Sequence, residues 1–192
     1  KKIDAIQQKQ IFQNTKKIRN KGKIIAIIPA RLGSRRFKNK NIYKFKKLPM
    51  IAWTIKAAQR SKFIDEIFVT SESKKILTIS KRFNSKTILR PKKLSKDKVP
   101  KIIAIRHAVS SLSKKYKKIY LIVSLQANSP NITAKDIDIC ISDIINKNKQ
   151  EVVSVDKNLN QNAAIRVMKY NNVFNKILST HFSCRINDVV DI

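Results

Sequence analysis

A cluster of cations follows the first strongly apolar segment of the chain and is the most recognisable chemistry in the sequence. Residues 24–28 are wholly apolar and end at Pro29, and the next loop contains Gly33 and Ser34. These two residues permit a tight turn whose backbone N–H groups point at an anion. Arginine binds phosphate oxygens through a planar pair of donors and lysine as a point charge, although a merely solvated basic loop stays open as an alternative. The cations are Arg31, Arg35, Arg36, Lys38 and Lys40.

Three further polar loops follow predicted strands, at residues 70–73, 90–97 and 126–131. In an open α/β sheet, ligands bind outside the carboxyl ends of the strands, so we expect these loops to share one rim with the basic loop. Together they offer hydroxyls, amides, further cations and one carboxylate, Asp97. That set suits a polyphosphate attached to a base. Neither the Walker A pattern nor the glycine pattern of dinucleotide-binding folds is present.

The elements that must position these loops alternate between strand and helix. Apolar strands are predicted at 24–28, 66–70, 86–89, 118–126 and 151–155, and amphipathic helices lie between them, near 49–61, 73–83 and 99–114 and after Thr133. Ser73 is a candidate N-cap, and Thr133 with Asp136 has the spacing of a capping box. Residues 163–178 favour a hairpin around Asn171-Asn172. This alternation predicts an α/β fold whose mostly parallel sheet is covered on both faces.

The chain organisation predicts one folded domain. Residues 1–22 are polar and basic, and we interpret them as an extension that precedes a domain at 23–192. The sequence begins with Lys, which favours a fragment or a shortened form. It contains no apolar run of the roughly 18 residues that cross a bilayer and no signal-peptide core near its start. We therefore expect no membrane partner and a cytoplasmic location.

The positive charge raises the alternative of a nucleic-acid partner. The 43 Lys and Arg residues exceed the 12 Asp and Glu residues and give a net charge of +31. These charges are spread along the chain, and the abundance of Lys, Ile and Asn is what an A·T-rich genome produces. Single-strand binding also needs aromatic platforms among the cations, and aromatic residues make up only 7% of the chain. Nucleic acid is therefore the less favoured partner.

A few isolated residues have structural interpretations that we prefer to catalytic ones. His181 and Cys184 have no further ligand nearby, so zinc is not expected. Asp136 and Asp138 begin a predicted helix and suit its cap and dipole. Asp97 could orient a basic residue or its own loop, and for this residue a functional role is as favoured as a structural one.

Four blocks in order carry a family resemblance over about residues 23–156. They are "IIPARLGSRRFKNKNI", "SKFIDEIFVTSES", "ILRPKKLSKD" and "LQANSPNITAKDID". In sequence and spacing they resemble the acylneuraminate cytidylyltransferases, which are the CMP-sialic acid synthetases. The resemblance implies a Rossmann-like three-layer α/β/α sandwich. It also implies a reaction in which CTP and an acidic nonulosonate sugar of the sialic, legionaminic or pseudaminic acid type give a CMP-sugar and pyrophosphate, with Mg²⁺.

The resemblance also implies roles for individual residues. Cations of the first loop would bind the triphosphate, with Arg31 and Lys40 as the candidate catalytic residues. The amide of Asn41 would reach the nucleotide, and Arg90 and Gln126 would recognise the base. Asp191 matches the first position of the family's Asp-x-Asp metal pair. The implied nucleotide-binding set is Arg31, Gly33, Ser34, Arg35, Lys40, Asn41, Arg90 and Gln126.

The sequence departs from the family towards its carboxyl end. It stops one residue after Asp191, and residues 157–190 lack the stretch that forms the sugar pocket and the dimer contact in relatives. The metal site is therefore incomplete in this chain, and the homodimer of relatives is not expected. We favour an active transferase. The alternatives are a shortened homologue that only binds nucleotide and, less favoured, a basic nucleic-acid-binding protein.

Overall fold

The computed structural model describes residues 20–33, 39–155 and 160–175. Within these ranges, strands and α-helices alternate as the apolar pattern predicts. The strands are β1 (Lys23–Pro29), β2 (Lys44–Phe45), β3 (Leu48–Pro49), β4 (Glu66–Ser71), β5 (Lys86–Leu89), β6 (Ile119–Leu125), β7 (Glu151–Val155) and β8 (Gln161–Lys169). The α-helices are α1 (Met50–Gln59), α2 (Lys74–Arg82), α3 (Lys101–Ser113) and α4 (Ala134–Asn146). Short 3₁₀ helices occupy Lys40–Ile42, Lys92–Ser95 and Tyr170–Phe174.

Six strands form the central sheet in the order β5-β4-β1-β6-β8-β7. Strands β5, β4, β1 and β6 run parallel to one another. Ile27 of β1 lies opposite Phe68 of β4 and Ser124 of β6. Strand β8 runs antiparallel to both β6 and β7. The mostly parallel sheet is thus confirmed. Because four neighbouring strands are parallel, the loops that follow them lie at one edge of the sheet.

The two faces of the sheet carry separate apolar cores. In β1, Ile24 and Ile28 face one core while Ile25 and Ile27 face the other, and all four are fully buried. Helices α1, α2 and α4 cover the first face, and helix α3 with the 3₁₀ helix at 170–174 covers the second. The three-layer α/β/α sandwich is therefore confirmed. Such near-continuous apolar strands occur where a parallel sheet is buried on both sides.

Local signals in the sequence fix where the helices begin. The Ser73 hydroxyl accepts the N–H of Ile76, so it caps α2 as predicted. At α4, Thr133 and Asp136 form both bonds of a capping box, which confirms the second cap. Pro49 and Pro100 stand immediately before α1 and α3, where the absence of a proline N–H costs no hydrogen bond.

The predicted hairpin around Asn171-Asn172 is wrong. Residues 161–169 form one continuous strand, β8, and both asparagines lie in the 3₁₀ helix that follows it. The chain reverses before β8 instead, since β7 and β8 pair antiparallel. β8 is inserted between two other strands, so Ile165, Val167 and Met168 are all buried.

Asp138 does not serve the start of α4 as predicted. It is buried, and its carboxylate accepts the hydroxyl of Ser61 at 2.5 Å and the backbone N–H of Lys62 at 3.2 Å. Burial raises the pKa of Asp138, and these hydrogen bonds only partly oppose that rise. The residue therefore joins α4 to the turn after α1.

The described residues give information on where the domain begins and on whether a helix could cross a membrane. β1 begins at Lys23, the residue at which we place the start of the domain. The extension at 1–22 stays a prediction, because residues 1–19 lie outside the described ranges. None of the described helices is both long enough and apolar enough to cross a bilayer.

Candidate functional site

A cavity of about 390 Å³ lies at the carboxyl edge of the sheet. Pro29 at the end of β1, Arg90 after β5 and Gln126 after β6 all contribute to its wall. This is the edge at which open α/β sheets bind ligands. Five of the residues singled out in the sequence line it together, and their roles there stay predictions. They are Arg31, Lys40, Asn41, Arg90 and Gln126.

A side-chain hydrogen bond from Asn41 holds the loop after β1. This side chain is buried, and its amide nitrogen donates to the carbonyl oxygen of Arg31 at 2.8 Å. The bond identifies the amide oxygen, because only the nitrogen can donate to a carbonyl. That oxygen, Oδ1, is buried and has no hydrogen-bond partner among the described residues. Since buried polar atoms are normally paired, Asn41 presents an acceptor for a ligand that carries an N–H or O–H group.

Arg90 is enclosed by acceptors from the ends of β1 and β4 and from the 3₁₀ helix at Lys92–Ser95. Its side chain is only 3% exposed, and Nη1 donates to the carbonyl of Thr70 at 2.7 Å. Nη2 donates to the carbonyl of Ala30 at 3.1 Å and to the Glu72 carboxylate at 3.2 Å. Nε donates to the hydroxyl of Ser95 at 2.8 Å. The guanidinium therefore uses most of its donors within the protein, although its side chain reaches the cavity wall.

Glu72 connects the same network to the basic loop. One carboxylate oxygen accepts the backbone N–H of Leu32 at 2.8 Å, and the other accepts the Ser95 hydroxyl at 2.8 Å. Burial alone would raise the pKa of Glu72, but the Leu32 N–H, the Ser95 hydroxyl and the Arg90 charge together hold that pKa below its usual value. Glu72 is therefore a carboxylate at neutral pH.

Arg31 carries a second link between loops. Its Nη1 lies 2.5 Å from Oδ1 of Asp97, and both side chains are about one third exposed, at 38% and 34%. The interpretation of Asp97 as a residue that orients a basic side chain agrees with this geometry. Exposed pairs of this kind are weak, so a phosphate group can compete with Asp97 for the guanidinium.

Gln126 stands at the end of β6 with its backbone fixed on both sides. Its N–H donates to the carbonyl of Ala164 at 2.9 Å, and its carbonyl accepts the Thr54 hydroxyl at 2.9 Å. The side chain lines the cavity, with its amide nitrogen 3.4 Å from Oδ1 of Asn128. A rigid backbone with an amide at the cavity wall suits the recognition of a polar ligand edge.

Lys101 is a functional candidate that the sequence analysis missed. It occupies the first turn of α3 and lines the cavity. Burial and, to a smaller extent, the nearby charge of Arg166 together lower the pKa of Lys101 to about 8. One signal was available in the sequence: a helix that crosses between parallel strands must begin at the edge where the strands end. The first turn after Pro100 therefore had to lie at this rim.

Four predicted site residues remain. The structure describes Gly33 but not the other three. A Cβ on Gly33 would meet no atom within 4 Å, and Gly33 has no positive φ, so this position has no steric need for glycine. The tight turn that Gly33 and Ser34 would permit stays a prediction. Ser34, Arg35 and Asp191 lie outside the described residues, and their assignments stay predictions.

The metal expectation finds little support in the described part of the chain. No group of three His, Cys, Asp or Glu side chains is arranged there to hold an ion. Asp97 is the one carboxylate among the described residues that line the cavity, and it pairs with Arg31. Magnesium usually binds one or two carboxylates together with substrate phosphates. The described residues therefore do not form a magnesium site by themselves.

These residues are arranged to bind an anion that also carries a polar, hydrogen-bonding part. Arg31 and Lys40 come from the loop after β1, while Lys101 comes from α3, so positive charge reaches the cavity from two elements. Asn41 and Gln126 add amides to the same wall. Fixed cations and donors of this kind stabilise a phosphate chain with little reorganisation.

Comparison with known proteins agrees with this chemistry. The sequence model of the cytidylyltransferase family matches residues 25–178, which is most of the chain. An N-acylneuraminate cytidylyltransferase of Escherichia coli is 40% identical over 88 residues, covering 46% of this chain and 21% of that protein. A pseudaminic acid cytidylyltransferase of Campylobacter jejuni is 33% identical over 109 residues, covering 56% of this chain and 47% of that protein. The chain thus spans half or less of the length of these relatives.

Two solved structures share the fold. A CMP:2-keto-3-deoxy-manno-octonic acid synthetase complexed with CTP superposes with a TM-score of 0.61 at 16% identity, covering 79% of this chain and 76% of that one. A cytidylyltransferase from Leptospira borgpetersenii superposes with a TM-score of 0.60 at 18% identity, covering 79% and 62%.

Proposed function

The chain belongs to the cytidylyltransferase family, and from that premise we propose that it transfers CMP from CTP to an acidic nonulosonate sugar. The cavity at the carboxyl edge of the sheet is the proposed active site. The two relatives described above are named as cytidylyltransferases of N-acylneuraminate and of pseudaminic acid. Both of these sugars carry a carboxylate. The single observation that carries the proposal is the convergence of Arg31, Lys40, Asn41 and Gln126 on one cavity.

The triphosphate is assigned to the loop after β1. Arg31 and Lys40 line the cavity and place two positive charges where phosphate oxygens would lie. Arg35 belongs to the same loop and is proposed as a third contact, with backbone N–H groups near Gly33 and Ser34. The net charge of +31 adds an attraction for any nucleotide, so it contributes to affinity without choosing a base.

The base is assigned to the two amides. Cytosine presents an exocyclic amino group, which is a hydrogen-bond donor, where uracil presents an oxygen acceptor. The buried Oδ1 of Asn41 has no partner among the described residues and is an acceptor of the kind that favours cytosine. The Gln126 side chain supplies further polar groups at the same wall.

The carboxylate of the sugar is assigned to Lys101. This lysine reaches the cavity from α3, whereas the triphosphate cations come from the loop after β1. A second cation on a separate element allows two anions to be held in one cavity. The charge of Arg166 lies close enough to contribute to the lowered pKa of Lys101.

The reaction is a single displacement. The anomeric hydroxyl of the sugar attacks the α-phosphorus of CTP and loses its proton to solvent as the new phosphorus–oxygen bond forms. The bond between the α-phosphorus and the oxygen that bridges to the β-phosphorus breaks, and pyrophosphate leaves with its electron pair. Arg31 and Lys40 stabilise charge on the phosphate oxygens, and Lys101 orients the sugar; catalysis is positioning and charge stabilisation. Asp191, outside the described residues, is the proposed contributor to binding Mg²⁺, which would neutralise phosphate charge. The proposed location is the cytoplasm, where nucleoside triphosphates are made.

The test is a calorimetric titration of the full chain with CTP, UTP, GTP and ATP at two salt concentrations, with and without Mg²⁺. We expect CTP to bind more tightly than the other three, and the preference to persist at the higher salt concentration because it rests on hydrogen bonds. Incubation with CTP and N-acetylneuraminate or pseudaminic acid should then release pyrophosphate. Equal binding of all four nucleotides that disappears with salt would overturn the proposal.

A shortened homologue that only binds nucleotide is the second candidate. Its motivation is that the described residues do not form a magnesium site by themselves. A CTP preference without pyrophosphate release, at saturating sugar and Mg²⁺, would select this alternative.

A further inference from the structure

The buried network around Arg90 lies next to the proposed active site, yet binding of CTP does not explain it. Arg90 donates to two main-chain carbonyls, those of Ala30 and Thr70, and to two side chains, those of Glu72 and Ser95. A guanidinium that read a base would need its donors directed at the ligand. Four donated bonds leave this one little capacity to do so, because a guanidinium has five N–H groups.

Glu72 occupies the centre of the same network. Its carboxylate holds Arg90 and Ser95 on one oxygen and the backbone N–H of Leu32 on the other. Leu32 lies between Arg31 and Gly33, both in the loop that we assign to the triphosphate. The hydrogen bond that the Leu32 N–H donates to Glu72 therefore holds the backbone of that loop relative to the ends of β4 and β5.

We infer that Glu72 is a positioning residue for the triphosphate loop, and that Arg90 is a strut between three strand ends that holds Glu72 in place. Neither residue chooses the base. This inference rests on the proposed function, since it names what positions the phosphate-binding loop of that same site. It assigns base choice to Asn41 and Gln126 alone, in contrast to the role that the family resemblance implies for Arg90.

The substitution Glu72→Gln is the direct test, because it keeps the size of the side chain and removes the charge and one acceptor. The probes are inorganic triphosphate, CTP and UTP, titrated calorimetrically into the full chain. We expect all three to bind about tenfold more weakly, since hydrogen bonds to a charged group are strong ones. The ratio of CTP to UTP affinity should stay as in the unmodified chain, because the base contacts are untouched.

Glu66→Gln is the matched control. Glu66 lies on the same strand, β4, and forms an ion pair with Lys86, but it begins the strand whereas Glu72 follows its end. The Glu66→Gln variant should leave the affinities for inorganic triphosphate, CTP and UTP unchanged. Ser95→Ala is a second, milder variant that removes one hydroxyl from the network, and it decides the question if Glu72→Gln does not fold.

Hydrogen exchange at the Leu32 amide gives a readout that needs no nucleotide. In the unmodified chain we expect slow exchange, and in Glu72→Gln an exchange several-fold faster, while thermal unfolding verifies that the variant is folded. Unchanged exchange at Leu32 would overturn the inference. So would a variant that loses only the CTP preference while inorganic triphosphate binds as before, because that result makes the network a reader of the base.

Failure of the proposed function gives a different pattern. If the unmodified chain does not distinguish CTP from UTP, the cytidylyltransferase assignment fails. The inorganic triphosphate and hydrogen-exchange measurements still decide whether Glu72 positions the loop.

Discussion

Nη1 of Arg31 lies 2.5 Å from Oδ1 of Asp97, although 66 residues separate the two in the chain. The pair joins the loop after β1 to the loop after β5 on the cavity wall. In the proposed enzyme, the cation assigned to a phosphate is thus also paired with a protein carboxylate. Binding of CTP must replace or extend this contact.

Removal of the Asp97 charge should strengthen nucleotide binding. In Asp97→Asn the triphosphate no longer competes with a carboxylate for Arg31. Exposed ion pairs contribute about 0.2–1 kcal/mol, so we expect the Kd for CTP without Mg²⁺ to fall by about 1.4- to fivefold. Titration calorimetry measures the change. A weaker affinity would show instead that Asp97 holds Arg31 in its binding position.

The preference for cytosine should depend on Asn41. In Asn41→Ala the buried acceptor disappears, and we expect the ratio of CTP to UTP affinity to fall by about tenfold, as for the loss of one buried hydrogen bond. Overall affinity will also fall, because the Arg31 carbonyl loses its donor. The ratio is therefore the quantity to measure.

Thr70→Val is the control for Asn41. Its hydroxyl is also buried without a partner among the described residues, but Thr70 is not part of the cavity wall. The ratio should not change in this variant. If Thr70→Val and Asn41→Ala alter the ratio equally, base recognition does not depend on the cavity.

Use of the acidic sugar should depend on the charge of Lys101. With its pKa at about 8, Lys101 is roughly 90% protonated at pH 7 and roughly 10% at pH 9. The KM for the sugar should therefore rise between these pH values, and Lys101→Met should show the high KM throughout. Pyrophosphate release at varied sugar concentration provides the measurement.

Two comparisons make the Lys101 prediction specific. Lys101→Arg should keep a low KM at pH 9, because a guanidinium does not titrate in this range. Lys98→Met changes a nearby lysine that is not part of the cavity wall and should have no effect. If Lys101→Met raises the Kd for CTP and leaves the sugar KM unchanged, Lys101 contacts the triphosphate and not the sugar.

Gly22 should be the glycine that matters for stability. Its φ is +124°, and a Cβ there would lie 2.9 Å from the carbonyl oxygen of Lys118. We expect Gly22→Ala to lower the free energy of unfolding by about 1–3 kcal/mol, the usual cost of a residue in such a conformation. Urea unfolding measures this loss. Gly33→Ala, with no atom within 4 Å, is the control and should change stability by less than about 0.5 kcal/mol.

Acid should weaken the fold through Glu72. Its pKa in the folded protein is below the ordinary value, so the folded state holds this proton less tightly than the unfolded state. The stabilisation is fully present above the unfolded pKa and is lost as the pH falls through the folded one. Urea unfolding between pH 6 and pH 3 should show this loss, and Glu72→Gln should reduce the slope. An equal slope in both proteins would contradict the prediction.

Much of the fold was readable from local patterns, whereas the contacts of the site were not. The caps at Ser73 and Thr133 depend on neighbours three residues away, so the sequence specifies them directly. The β8 strand was misread because Asn171-Asn172 is typical of a tight turn, while β8 pairs with two earlier strands, of which β6 is distant in the chain. Pairing with these strands overrode the local signal.

Arg90 illustrates the same limit within the site. Two of its acceptors are main-chain carbonyls, of Ala30 and Thr70, and every residue in the chain has such a carbonyl. No side-chain pattern could indicate them. Gln126, in contrast, directly follows the end of β6, so topology alone brings it to this edge of the sheet.

The place of β8 in the sheet has a consequence for synthesis of the chain. Strands β1, β4, β5 and β6 pair only with one another on their side of the sheet, so they can assemble as soon as β6 has left the ribosome. Strand β7 emerges next, but among the strands of the described residues it pairs with β8 alone, which is made after it. Until then the outer edge of β6 is an open row of backbone donors and acceptors. The nascent chain should therefore be most prone to aggregation in the interval between the emergence of β6 and that of β8.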